Sequence, residues 1–280
     1  MSYIEYKGTK WQKYHGALIP LASPLIEIDL SKEEAKYLLK KSGAYFVRYT
    51  SHWDIKRETA FWYIIKDSFG GMEELSANTR SKLRRGFKNC TVKKVTNEEI
   101  AQHGYEVYKK AFDHYKTHIA PVDKNEFYND TLNSKDHDYF AVYYKEQNNK
   151  MIAYSKNKIE KDIVDYSTIK FHPDFLKNYS SYVLFYEMNK YYLSDKKIQY
   201  VNDGARSISH NTNIQDFLMQ KFKFRKAYCV LHIVYRWDIG IAVKLLYPFK
   251  NIIGQIDNKI FNRLLILLKQ ETIRRTFDPL

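Results

Sequence analysis

The sequence predicts an α+β fold: a mixed, mostly antiparallel sheet flanked by helices, with a partial N-terminal α/β half and a C-terminal helical extension. Three observations carry this. First, β-rich runs at 139–145, 150–159 and 163–171 are joined by the polar turns Gln147-Asn148-Asn149 and Glu160-Lys161-Asp162, the pattern of an antiparallel meander. Second, residues 180–193 and 211–222 have helical length and alternate with short strands at 199–203 and 227–235. Third, beyond Trp237 apolar residues at helical spacing run beside Lys244, Lys250, Lys259, Arg263, Lys269, Arg274 and Arg275.

Composition narrows the class. A chain of 280 residues suits one large domain or two small ones, and 44% apolar residues with only 10 Gly and 6 Pro exclude a disordered chain. The 25 Tyr and 16 Phe supply ample core material. Two cysteines, Cys90 and Cys229, make no disulfide framework and fit a reducing cytoplasm. The N-terminal residues lack the apolar run of a signal peptide, and no window approaches a spanning helix. A formal charge of +14 favours anionic partners: a phosphate-bearing cofactor, RNA or an anionic membrane face.

In order along the chain, residues 16–30 read as two short strands joined by a turn at Ser23-Pro24. Ser31 with Glu34 is a capping box opening a helix over 32–41, which Gly43 stops. Two β-rich runs follow at 44–50 and 60–66. Thr96-Asn97-Glu98-Glu99 begins a helix expected to reach His118, and 125–133 reads as another. His114 and His118 lie four apart, but Tyr115 stands where a metalloprotease helix needs Glu, so no metal is expected. The expected divisions are 1–95, 96–238 and 239–280.

The most distinctive local sequence is Leu75-Ser-Ala-Asn-Thr-Arg-Ser-Lys-Leu-Arg-Arg85 and its continuation to Val95. Ser76 can cap a helix with Leu83 and Phe87 on one face and Arg80, Arg84 and Lys88 on another, with Arg85 beside them. From Arg80 to Lys94 there are seven basic residues and no acidic one. Solvated helices usually mix signs, so the one-signed stripe favours a phosphate-rich partner over a bland surface.

This basic helix, set between a Trp-containing strand and a following strand, resembles that of the Fem-type aminoacyltransferases. The order of elements after residue 139 resembles the back half of the GCN5-related N-acetyltransferase (GNAT) fold. The Fem resemblance is good over 61–95 and elsewhere rests on element order. It implies two GNAT-like halves and transfer of amino acids from aminoacyl-tRNA to peptidoglycan precursors. It also implies that the acyl donor enters a gap between two splayed strands, its phosphates over the start of the next helix. On this sequence those positions are Lys177, Asn178, Ser180, Ser181 and Tyr182, with Ser180 and bulky Tyr182 where the GNAT pattern has small residues. Ser180 and Ser181 read equally well as ordinary helix caps. The Tyr that protonates a leaving thiolate in GNAT enzymes is Met219 or Gln220 here, and Fem-type proteins are similar in lacking the coenzyme A apparatus.

The loop after the strand at 199–203 holds Asp203, Arg206 and His210. Asp203 or His210 can take a proton from an attacking amine, and Arg206 can hold a phosphate or carboxylate. Turn chemistry at Asp203-Gly204 and a cap at Asn211 or Thr212 account for the same residues. Cys229, inside an apolar strand, is expected to be inert. The leading expectation is thus a cytoplasmic acyltransferase, free of any permanently bound cofactor, that uses acyl-CoA (acetyl-CoA) or aminoacyl-tRNA. Its acceptor is an amine of a cell-envelope glycan or a lipid-linked precursor, with peripheral contact at the inner membrane face. The rival expectations are an acetyl-CoA-dependent N-acetyltransferase and a non-catalytic RNA- or membrane-binding protein.

Overall fold

The computed structural model describes residues 3–114, 120–134, 136–208, 213–255 and 259–277; side chains are described for all of these but 259–263. His118, His210, Asn211 and Thr212 lie outside them. The chain divides into two compact units, each discontinuous: Met1–Tyr63, Ala205–Thr212 and Lys226–Leu280 form one, Ile64–Gly204 and Asn213–Arg225 the other. These divisions differ from the expected 1–95, 96–238 and 239–280. The reason is long-range pairing, which returns the end of the chain to its beginning.

In the first unit, Tyr3–Tyr6 and Thr9–Tyr14 form a hairpin, and Thr9–Tyr14 pairs antiparallel with Ala17–Pro20. Both turns are two residues long, Lys7-Gly8 and His15-Gly16, and all four residues have positive φ. That geometry matches the twist of the flanking strands. Helix Lys32–Ser42 then crosses over to Phe46–Ser51, which pairs parallel with Ala17–Pro20. The capping box is present as expected: Glu34 N donates to Ser31 Oγ, Ser31 N donates to Glu34 Oε2, and Gly43 closes the helix at φ 65°. Strand Arg225–Tyr235 joins Phe46–Ser51 antiparallel, from Val230 opposite Ser51 to Tyr235 opposite Phe46. Trp11, Leu18, Leu38 and Val47 fill one core; Phe46, Phe61, Cys229, Leu231 and Ile273 fill another.

No strand follows Ser23-Pro24. Ser23 accepts from Ile26 N through its carbonyl and from Leu25 N through Oγ, so those amides are spent on the turn.

In the second unit, His137–Tyr144, Lys150–Glu160 and Ile163–Phe171 pair antiparallel in that order, as the meander pattern predicts, and Cys90–Val95 adds antiparallel to His137–Tyr144. Tyr200–Ala205 adds to Ile163–Phe171 in parallel. The expected long helix is two, Asn97–His103 and Tyr105–Asp113, with Gly104 between them. A Cβ at Gly104 would meet the Ile100 carbonyl at 2.7 Å, Ile100 Cγ2 at 3.0 Å and Phe127 Cζ of helix Lys124–Leu132 at 3.3 Å, so the break needs a residue without one. Helix Ser180–Asn189 buries Val183, Leu184, Phe185 and Met188, then continues through Lys190–Asp195 as a π-helix. Basic helix Ala77–Asn89, capped by Ser76, lies against its start: a Cβ on Gly86 would meet Val183 Cγ1 at 2.6 Å and the Tyr179 carbonyl at 3.1 Å.

Candidate active site

The site begins where two strands stop pairing. Tyr200, Val201 and Asn202 pair with Ile163, Val164 and Asp165, and the parallel register ends there. Ile163–Phe171 continues to pair with Lys150–Glu160 as far as Phe171 opposite Ala153. The edge facing Tyr200–Ala205 is therefore released after Asp165. At the last pair, Asn202 Nδ2 donates to Asp165 Oδ1 at 2.6 Å and Gly204 N donates to Asn202 Oδ1 at 2.9 Å. Gly204 takes φ +95°, a conformation that costs other residues strain, and this turns the chain directly after Asp203.

Asp203 lies at this divergence. Burial alone pushes its carboxyl up to about 7. A carboxylate so placed exchanges a proton near neutrality, as a general base must. Across the split, buried Tyr166 donates to Asn189 Oδ1 at 2.7 Å. Burial raises its hydroxyl well above the ordinary range, with the neighbouring Tyr192 and Asp203 adding to the effect. Asp165 is also raised by burial, opposed by the bond from Asn202.

The second part of the site is the start of helix Ser180–Asn189. A 3₁₀ turn, Pro173–Asn178, leads to Tyr179 in the left-handed region at φ 60°. Tyr179 occupies the cap position without a side-chain cap bond, so the cap reading of Ser180 and Ser181 does not hold. Ser180 Oγ is buried with no hydrogen-bond partner among the described residues. Lys177 is exposed, and Asn178 offers its carbonyl to Cys90 Sγ at 3.8 Å. Tyr182 is turned into the core against Phe217 and Phe222, which is how the helix tolerates bulk where the GNAT pattern has a small residue.

The basic helix supplies cations beside this helix start. Arg85 places its guanidinium 4.8 Å from the Tyr179 ring, and Lys82 lies over Tyr182 and donates to its hydroxyl at 3.4 Å. Arg84 and Lys88 are exposed. Arg80 instead donates to the Leu75 carbonyl at 2.7 Å, closing the helix start. Arg206, in the first unit, donates to the Ala60 carbonyl at 2.6 Å and stacks 4.5 Å over Trp62. Its guanidinium is held by that unit's own backbone and ring.

Sequence reasoning did not single out Asp165, Tyr166, Asn189 or Lys82. Asp165 and Tyr166 were visible as polar groups within an apolar strand. Asn189 had no local signal. Cys229 and Cys90 are buried, their thiols pushed up to about 12 and about 11, so neither acts as a nucleophile at neutral pH.

No protein-family model matches the chain, and no curated protein matches it. Among solved structures, FemX aligns over 87% of this chain and 89% of its own, with a TM-score of 0.57 at 11% identity. This chain has the GNAT-like fold of FemX. The C-terminal domain of a putative lysylphosphatidylglycerol synthetase from Agrobacterium fabrum aligns over 84% of this chain and 83% of its own, with a TM-score of 0.52 at 13% identity. L-PGS from Bacillus licheniformis covers 92% and 85%, with a TM-score of 0.52 at 10% identity.

Proposed function

We propose that this protein is an acyltransferase that moves an aminoacyl group from aminoacyl-tRNA to an amine of a cell-envelope glycan or its precursor. The observation that carries the reading is the parting of Ile163–Phe171 from Tyr200–Ala205, with Asp203 at the divergence and titrating near 7. Charged tRNA is favoured over acyl-CoA by the cations of the basic helix beside Tyr179, and by Met219 where a coenzyme A enzyme keeps Tyr. The acceptor would be a lipid-linked or soluble precursor, and a tRNA donor puts the reaction in the cytoplasm. No helix among the described residues is long and apolar enough to cross a membrane.

In this reading the acceptor nitrogen attacks the ester carbonyl carbon directly. The C–N bond forms, the C–O bond to the ribose breaks, and Asp203 takes the amine proton. That proton then passes, directly or through water, to the leaving ribose oxygen. Backbone N–H groups at the start of Ser180–Asn189 can hold a phosphate, with Lys177, Arg85 and Lys88 adding charge. The chain itself needs no permanently bound cofactor for this chemistry.

The test is turnover of purified protein with aminoacyl-tRNA or acetyl-CoA, against a panel of amine-bearing envelope precursors. Consumption of charged tRNA supports the reading, and consumption of acetyl-CoA alone moves it to the N-acetyltransferase class. A folded protein that consumes neither overturns it.

A further inference from the structure

Helix Trp237–Leu246 is apolar on two opposite faces. Val243 is buried with Ile253 and Leu268, and Ile239 and Leu246 pack on that cluster. The other face carries Trp237, Ile241 and Leu245, each four residues from the next. The stripe continues through Phe249 in the turn Tyr247–Phe249 and Ile252 in the short helix Lys250–Ile253. These five side chains are 77%, 54%, 66%, 55% and 62% exposed, respectively. Single exposed apolar residues are ordinary; five large ones aligned at helical spacing form a docking surface.

The charges beside the stripe say what it meets. Between Arg236 and Gln255 the acidic residue Asp238 is paired to Arg236 at 2.6 Å, while Lys244 is exposed and Lys250 half-buried. The surrounding surface is therefore cationic, on a chain of net charge +14. A second copy would bring like charge to like. A nucleic acid would meet cations but has no use for aliphatic Ile241, Leu245 and Ile252. An anionic lipid surface satisfies both features, with acyl chains for the aliphatic residues, headgroup phosphates for Lys244, and the interfacial depth that Trp favours.

We propose that the stripe Trp237–Ile241–Leu245–Phe249–Ile252 docks this protein peripherally on an anionic membrane. The inference does not depend on the catalytic reading, and it concerns the first unit alone.

The test is co-sedimentation of the full chain with phosphatidylcholine vesicles, with and without phosphatidylglycerol, at physiological salt. The wild type is expected to sediment with the anionic vesicles and not the neutral ones. A blue shift of tryptophan emission should accompany binding and be absent from Trp237→Phe. Ile241→Asp with Leu245→Asp should weaken binding by roughly tenfold to a hundredfold per residue, since each loses the burial of a large side chain. The melting temperature should stay within a degree or two, because both positions are already exposed. Lys244→Glu should weaken binding less and reduce its salt dependence. A wild type that sediments with neither vesicle overturns the proposal. So does a lipid-free dimer that the double variant dissolves, which would assign the face to a second copy.

Discussion

Asn202 donates its side-chain amide to Asp165 at the last position where their two strands pair, and accepts from Gly204 N with the same side chain. One residue thus ties the two strands together and sets the turn that follows Asp203. Replacing it with Ala leaves the half-buried Asp165 carboxylate and a backbone amide without these partners. Asn202→Ala is expected to cost about 1–3 kcal/mol in urea unfolding, and to lower turnover beyond what the stability loss explains. A variant with wild-type stability and turnover would show that the tie is dispensable.

Asp203 predicts two opposite dependences on pH. If it is the base, activity rises as pH rises through about 7, and Asp203→Asn removes that limb and lowers kcat by roughly 10²–10⁴. Stability runs the other way. Below about 4 both folded and unfolded chains hold this proton. Between there and about 7 the unfolded chain releases it while the folded chain keeps it, so folding weakens as pH rises. Asp203→Asn should therefore raise the melting temperature at pH 8 and barely change it at pH 4.5. An unshifted melting temperature at both values would mean that the carboxyl is not desolvated.

Gly86 is the close-approach point between the basic helix and the helix start at Tyr179. Ala is a better helix former by about 1 kcal/mol, yet its Cβ would sit 2.6 Å from Val183 Cγ1. Gly86→Ala is expected to destabilise by about 1–3 kcal/mol, and a stabilised variant would disprove the packing. Activity, measured at a temperature where the variant is folded, should fall because the cations of the helix are displaced.

The basic helix should separate into structural and binding residues. Arg80→Ala removes the bond to the Leu75 carbonyl and is expected to lower stability by about 1 kcal/mol. Arg84, Arg85 and Lys88 changed together to Ala should leave the fold intact and weaken tRNA binding. The slope of log affinity against log salt should become shallower by about two to three, one phosphate contact per cation. Unchanged affinity would make the stripe merely solvated.

Much of the second unit was legible because its signals are local. The meander follows from alternating runs and polar turns. The cap at Ser76, like the capping box at Ser31 and Glu34 in the first unit, follows from a spacing of three residues. Legibility failed at finer local detail: Gly104 interrupts the expected helix where a Cβ would meet the Ile100 carbonyl at 2.7 Å and Phe127 at 3.3 Å, and the strand expected after Ser23-Pro24 is lost to a turn held by Ser23. Asp203 was legible as a candidate, but its burial was not. Arg206 and Tyr182 have the right chemistry for a ligand and are occupied by Trp62 and by Phe217 with Phe222.

The sequence by itself determined the meander, the capped ends and the one-signed basic helix, and its element order resembled the GNAT fold. The first three depend on periodicity and on neighbours within a turn or two. Only the tertiary structure decided that residues 230–235 pair with 46–51, so that the first unit is assembled from both ends of the chain. It also decided that Ile163–Phe171 and Tyr200–Ala205 part after three pairs, leaving Asp203 desolvated at the opening. Pairing partners and local dielectric depend on residues far apart in the chain, and no window of sequence contains them.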